Sequence, residues 1–426
     1  MNNYRELVWL ISREPSSIRQ RPFGTRLWIS VLEKENELFR LDPERRDVHG
    51  LRLLATRLAR SDFFRYWWRD YPLESPIAMY LGYALWAWLP QPIRQTLEVP
   101  ERDESPLYLK IATPIGDIAD IPWEMISDGS QHFALRPNIH LVRSVPARFA
   151  ICSLSVNLPL RLLLVLSDPT EAQPLEALTE INAITEGLNR TEYEVRVIDA
   201  RSIDFVAKTL DDWTPHIFHY IGQGGLTYGE GNIILQTHEG RARWVTATEL
   251  ARLLPSSVRL LCLSTPCTTS NYDVRGLSRL GQSPRNIDLP TTVANQAPVM
   301  PRTATAFWQA FYSSLTARAG SVLEAMHAAR LTAATLEGRN ADWTSYSVTV
   351  RDQNGKPFSI RPADNDSREL RSLELSAQFA AKLANDLALQ RSVLRPHVPK
   401  SLEEQYKDVH GILEDLLHRI SAKKAE

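Results

Sequence analysis

The side chains able to do chemistry gather in two short stretches, PHIFHYIGQGG (215–225) and LLCLSTPCTTS (260–270). The first holds His216, His219 and Gln223 among Gly222, Gly224 and Gly225, and the second holds Cys262 and Cys267. A thiol attacks a carbonyl only after a base has taken its proton, and near neutral pH that base is most often an imidazole. Metal binding fits less well. His216 and His219 lie three apart in a strand-like run, so their side chains face opposite ways and cannot share one ion. Phosphate binding by GQGG fits poorly too, because no Lys-Ser/Thr follows and LTYGEGNIILQ runs on as a strand rather than a helix. Cys262, inside the apolar run LLCLS, reads as a small core residue.

Both stretches end an apolar run, which says what must position them. From residue 158, short and nearly all-apolar segments alternate with amphipathic ones. The strands are LRLLLVLSD (160–168), YEVRVIDA (193–200), PHIFHYIG (215–222), NIILQT (232–237), VRLLCLST (258–265) and TTVANQ (291–296), with helices near 171–190, 203–213, 246–254 and 303–317. This pattern predicts an α/β fold with a doubly wound, mostly parallel sheet flanked by helices over 151–362. In such sheets, functional loops lie beyond the carboxyl ends of strands, here after Ile221 and after Thr265.

A smaller α+β half is expected over 26–150, behind a lead helix at 1–25. RLWISVLEKENELFR (26–40) reads as a hairpin, 48–68 and 76–98 as helices with one buried face, and YLKIATP (108–114) and IHLVRSVP (139–146) as strands. DWTSYSVTVRDQNGKPF (342–358) closes the sheet region, with Asn354-Gly355 as a hairpin turn. Residues 363–426 read as a helical tail whose two halves each carry an apolar stripe, to be buried on the same chain or on a partner.

Bulk composition excludes several roles. The 426 residues carry 49 basic and 50 acidic side chains, a net charge of −1. No overall field draws in nucleic acid or an anionic membrane, and neither is an expected partner. Cys152, Cys262 and Cys267 are too few for a disulfide framework and lack zinc-site spacing, which points to a reducing cytoplasm. No metal or other cofactor is expected. The start, MNNYRELVWLISREP, is a poor signal peptide. AMYLGYALWAWLP (78–90) is short of the ~20 residues a bilayer core requires and reads as a buried helix. Trp67, Trp68, Trp86 and Trp88 read first as core packing and second as a partner surface.

The two chemical stretches resemble the signature of the CHAT family, bacterial relatives of caspases and separases. There a strand ends in a His-rich segment followed by Gly-His-Gly, and a later strand ends in a small residue and the nucleophilic cysteine. DIPWEMI (120–126), LVRSVP (141–146), VANQAPVMPRTATAFWQAFYSSL (293–315) and SVLEAMHAARL (321–331) resemble further family motifs in the same order. The resemblance spans roughly 26–360 and implies a caspase-like cysteine peptidase fold with Cys267 as the nucleophile. Two departures bear on function. Gln223 stands where the family has its catalytic histidine, and Pro266 stands where a small residue is usual.

The resemblance also implies an oxyanion or peptide-binding pocket lined by Gly222, Gly224 and Cys267. A glutamine amide can hydrogen-bond a peptide carbonyl there, yet it can neither take up a proton nor carry charge. The expectation is therefore a pseudo-peptidase, silent or strongly impaired, that binds proteins through a strand-end groove or through its helical tail. By family analogy it would act in a bacterial signalling or anti-phage defence assembly. The alternative is an active cysteine endopeptidase whose base has moved to His219, His238 or His140.

Overall fold

A computed structural model of the chain describes residues 5–13, 27–33, 36–41, 76–98, 106–113, 116–144, 153–167, 177–227, 230–264, 280, 291–297, 299–336, 341–351, 355–361, most positions between 373 and 391, and 399–425. The strands are β1 (Arg5–Arg13), β2 (Leu27–Glu33), β3 (Asn36–Leu41), β4 (Leu107–Ala112), β5 (Ile139–Ser144), β6 (Leu154–Asn157), β7 (Leu160–Ser167), β8 (Tyr193–Asp199), β9 (Ile217–Gly222), β10 (Gly224–Thr227), β11 (Glu230–Gln236), β12 (Ala242–Thr246), β13 (Leu260–Ser264), β14 (Thr291–Asn295), β15 (Tyr346–Val350) and β16 (Phe358–Arg361). The helices that matter here are α1 (Pro76–Trp88), α2 (Gln91–Glu98), α3 (Ala177–Gly187), α4 (Ile203–Trp213), α5 (Ala247–Leu253), α6 (Pro301–Ala317), α7 (Val322–Ala334) and α8 (Lys400–Ala425).

Among the described residues eleven strands form one sheet in the order β3-β2-β1-β4-β5-β15-β14-β13-β9-β7-β8. The strands β7, β9, β13 and β14 are parallel, as their near-continuous apolar runs require for strands covered on both faces. The chain starts at β7, adds β8 on one side and β9, β13 and β14 on the other, which is the doubly wound pattern. The antiparallel strand β15 joins this block to a second parallel block, β5, β4 and β1. Residues 1–155, 161–188 and 195–359 form a single compact unit, so the amino-terminal strands extend the same sheet.

Helix ends are fixed by the expected chemistry. Ser202 accepts the Phe205 amide hydrogen bond at the start of α4, and Thr246 with Glu249 forms a reciprocal capping box on α5. The longest helix of this unit among the described residues, α6, opens with Pro301. The buried Asp342 carboxylate accepts from Met300 N at 3.0 Å and from Thr303 Oγ1 at 3.3 Å, placing negative charge at the helix's positive end.

Three expectations need correction. Residues 5–13 are a strand, not part of a lead helix: Leu7, Trp9 and Ile11 are buried at period two, between β2 and β4. NIILQT does not join the parallel sheet, since β11 is the centre of a separate antiparallel sheet, β10-β11-β12. Asn354-Gly355 does not turn a hairpin, because β15 pairs with β14 and β5 while β16 pairs with β6. The helix expected at 48–68, with Trp67 and Trp68, lies outside the described residues. Trp86 is a core residue, stacked on Phe133 at 4.9 Å between ring centroids, and Trp88 packs partly buried against the same cluster.

The second compact unit contains residues 360–426 with 156–160 and 189–194. Described positions between 373 and 391 are helical and bury Leu373, Ala377, Ala380, Ala384 and Leu387, a four-three spacing that makes one seam. Ile420, Leu413 and Leu416 of α8 pack on Leu373 and Ala377. At the other end Arg391 pairs with Glu403 and stacks on Tyr406 at 4.1 Å, so the two helices run antiparallel. The two apolar stripes of the tail thus meet each other.

Candidate functional site

The register of β9 and β13 sets Ile221 beside Ser264. Gln223 leaves β9 two residues further on, and the chain reaches Cys267 three residues past Ser264. Cys267, Pro266 and Cys152 lie outside the described residues. Gln223 itself is fully buried, as are Gly222 and Gly224 on either side of it.

Backbone contacts hold this turn. The Gln223 carbonyl accepts from Ile234 N at 3.0 Å and lies 2.7 Å from the Tyr220 hydroxyl, which is also 2.7 Å from the Ile234 carbonyl. One phenolic proton is therefore shared between two acceptors, and burial pushes the Tyr220 phenol well up, so it stays a neutral donor. Ser167 Oγ donates to the same Ile234 carbonyl at 2.7 Å. A Cβ at position 222 would collide with the Tyr220 hydroxyl, which explains the glycine there. Gly224 opens β10 opposite Ile233, and the Trp244 ring lies where a Gly225 side chain would be. GQGG thus runs into a strand.

His219 sits on β9 beside Cys262 of β13 and is fully buried. Its Nδ1 is 2.7 Å from the Tyr312 hydroxyl, its ring lies 4.4 Å from that of Trp308, and its Nε2 faces Glu180 Oε1 at 3.9 Å. Burial drives its pKa down to about 3, so the ring is neutral. Burial drives the Glu180 carboxyl the other way, up to about 7, although the Ser264 hydroxyl lies against it. That hydroxyl is placed so that neither Glu180 oxygen has a well-formed hydrogen bond among the described residues. Cys262 is a core thiol pushed up to about 12 by burial, with Tyr312 as its polar neighbour.

The other imidazoles lie on other elements. His216 accepts the Arg161 amide at 3.0 Å and is held near pKa 4 by burial and by the Arg161 charge. His140 is buried on β5 beside His327, at 6.5 Å between ring centroids, with a pKa near 4 from burial and from the charges around it. His238 is exposed, 3.5 Å from Asp204.

Sequence reading missed Glu180, Tyr220, Ser264 and Tyr312. Glu180 had a legible signal, since Ala177, Glu180, Ile181 and Ile184 share one helical face and all are buried. The Glu of DIPWEMI also has a place. Glu124 is fully buried, 2.9 Å from Arg143 Nη2 and 3.6 Å from Arg330 Nη2, and it accepts from Gln296 Nε2 at 3.3 Å.

Among described residues no group of three or more His, Cys, Asp or Glu side chains could hold a metal ion, and no helix is long and apolar enough to cross a membrane. No curated protein matches the chain. A solved structure similar in part is the separase–securin complex of Saccharomyces cerevisiae, at 13% identity over 61% of this chain and a TM-score of 0.35. The chain spans only 16% of that separase-complex chain. The model of the CHAT domain matches residues 80–359, more than half of the sequence and including both chemical stretches. The chain therefore belongs to the CHAT domain family.

Proposed function

We propose that this chain is a CHAT-domain pseudo-peptidase, silent or strongly impaired in catalysis, that works in a reducing cytoplasm as a protein-binding module of a bacterial signalling or anti-phage defence assembly. The observation that carries the reading is the residue at the proton-shuttling position. Gln223 is an uncharged amide, so it can neither store the thiol's proton nor return it to a leaving amine. A thiol left alone has a pKa of ~8.5 and is a few per cent thiolate at neutral pH. Loss of general acid/base help alone costs about 10²–10⁴ in rate.

The environment of His219 supports the same reading. Both of its nitrogens are directed at Tyr312 and Glu180, and burial leaves it too weak a base to draw a proton from a thiol. Recognition needs less. A turn held by Tyr220 and Ile234 fixes the main chain beside Gln223, and an extended peptide draws its affinity from main-chain hydrogen bonds, which need no proton shuttle. The antiparallel helices of the tail are the second candidate contact surface.

Labelling by a peptide carrying a thiol-reactive ketone tests the reading. Cys267 of the wild type should react slowly, with no peptide turnover, and Gln223→His should speed the labelling by about 10². Stoichiometric wild-type labelling accompanied by turnover would establish a working endopeptidase with a relocated base instead.

A further inference from the structure

The apolar stretch 78–90 reads in sequence as a buried helix, yet α1 buries only one of its faces. Leu81, Leu85 and Trp86 enter the same core cluster as Trp123 and Phe133. Gly82 lets the helix sit close: its carbonyl accepts from Ser127 N at 3.2 Å, and a Cβ there would come within 2.7 Å of the Met125 carbonyl oxygen. The opposite face looks outward. Met79 is 46% exposed, Tyr80 73% and Tyr83 54%; Ala87 is exposed as well, and Ala84 and Trp88 are half-buried. At about 3.6 residues per turn these six share one continuous face. Three large apolar side chains exposed together form a patch rather than scattered residues, and such patches mark interfaces. No charged side chain occurs from Ser75 to Ile93.

We propose that this face docks on the same face of a second copy of the chain, the two α1 helices lying antiparallel across a two-fold axis that passes between Tyr83 and Ala84. Such an axis sets positions equally far from it against each other. Tyr80 then meets Ala87 of the second copy, Tyr83 meets Ala84, and Met79 meets Trp88 in a sulfur–aromatic contact. The large side chains fill the first half of the face and the small ones most of the second, so the antiparallel arrangement sets large against small. A parallel one would set Tyr80 on Tyr80. A two-fold axis also brings like charge to like, and the uncharged stretch from Ser75 to Ile93 removes that penalty. Tyrosine and methionine are enriched in interfaces, whose cores are depleted of charge. At these exposures the two tyrosines, the methionine and the smaller side chains offer roughly 400 Å² per copy. The pair buries ~800 Å², short of the ~1,200 Å² of a stable interface, so the dimer is weak and forms as concentration rises. Gly82 and the core fix α1 beforehand, so little ordering opposes docking. The contact needs neither Gln223 nor Cys267 and stands whether or not the peptide-binding reading does.

Sedimentation equilibrium of the full chain across the micromolar range tests it. Wild type should pass reversibly from monomer to dimer. Tyr83→Glu sets two carboxylates beside the axis and should weaken association by about 10²-fold or more, with the thermal melt unchanged because the side chain is exposed. Tyr83→Lys should do the same. An equimolar mixture of the two variants should regain a dimer, since opposite charges then meet at the axis; a contact between unlike surfaces would not give that recovery. A wild type that stays monomeric throughout overturns the proposal and leaves the face to a different protein. A dimer that persists in Tyr83→Glu, or a lost dimer that the mixture fails to restore, overturns it too. If Tyr83→Glu does not fold, Ala87→Glu takes its place at an exposed position facing Tyr80 of the second copy, and an unweakened dimer there overturns the proposal.

Discussion

Replacing Glu124 by glutamine keeps its size and removes one charge from a site where three charged groups are buried together. Glu124 is fully buried, and Arg143 and Arg330 are each 3% exposed. The substitution leaves two guanidiniums facing one neutral amide. Their remaining partners are unequal: Arg143 still donates to the carbonyls of Ala119 and Ile121, whereas Arg330 keeps the Tyr346 carbonyl at 2.8 Å. Burial already lowers the Arg330 pKa to about 10, a sign of what its charge costs there. Removing one member of a buried pair costs about 3–5 kcal/mol. The carbonyls around Arg143 pull the figure toward the lower end, and the poorly served Arg330 pulls it back up. Against a total stability of roughly 5–15 kcal/mol, this is about a fifth of the fold's stability or more. Urea titration followed by circular dichroism should show a lower midpoint with an unchanged slope. Adding Arg330→Met removes the stranded charge, so the double variant should recover about 1–3 kcal/mol relative to the sum of the single ones. A loss below about 1 kcal/mol for Glu124→Gln, or strict additivity, would refute the electrostatic account of the motif.

Acid should destabilise the protein in a defined window. The folded pKa values of His140, His216 and His219, about 4, 4 and 3, lie below the ordinary imidazole value of 6.5, so the unfolded chain takes up these protons first. Their contribution is complete above about pH 6.5 and is lost as pH falls toward 4. Fully buried His219 should lose most, at about 1.4 kcal/mol for each pH unit between its folded and unfolded midpoints. Glu180 has the opposite sign: raised to about 7, it favours the fold below the ordinary carboxylate range and costs stability as pH rises through 7. The histidine gain and the Glu180 loss overlap between about pH 4.5 and 6.5, so Glu180→Gln should steepen the rise of the melting point with pH across that window, and an unchanged slope would contradict it. Tyr220→Phe should cost only about 1–2 kcal/mol in urea, because the Gln223 carbonyl keeps Ile234 N and the Ile234 carbonyl keeps the Ser167 hydroxyl. A loss well beyond that would mean that the phenol holds more than these two carbonyls.

The parallel core was readable because doubly covered strands must be apolar throughout, and LRLLLVLS, IFHYIG and LLCLS each carry that mark. The helices near 203–213 and 303–317 were readable as amphipathic segments, and the structure adds Ser202 and Pro301 as the residues that start them. Strand β1 was not, because Leu7 to Ile11 are apolar without a gap, and such a run fits helix or strand until neighbours choose. Here β2 and β4 supply the neighbours on both sides. Asn354-Gly355 failed for a related reason. Its local turn preference was real, and Gly355 has a φ of 61°, but β15 finds better partners in β14 and β5 than in the strand that follows it. Glu180 was legible as a buried position, but its polar surroundings were not, since His219 comes from a strand distant in sequence.

Several groups other than the side chain at 223 hold the turn at 222–225. Tyr220, Ser167 and the Ile234 backbone grip the Gln223 carbonyl and its neighbours, and the absence of a Cβ at 222 lets the phenol come close. All of these contacts are made by main chain or by residues outside position 223, so they do not depend on which side chain stands there. In the function proposed above, catalysis would by contrast depend on that one side chain, because no backbone group can shuttle a proton at neutral pH. The two properties can therefore part company at a single residue. The contacts of Tyr220, Ser167 and Ile234 should persist in Gln223→His, while the reactivity of Cys267 should differ by orders of magnitude.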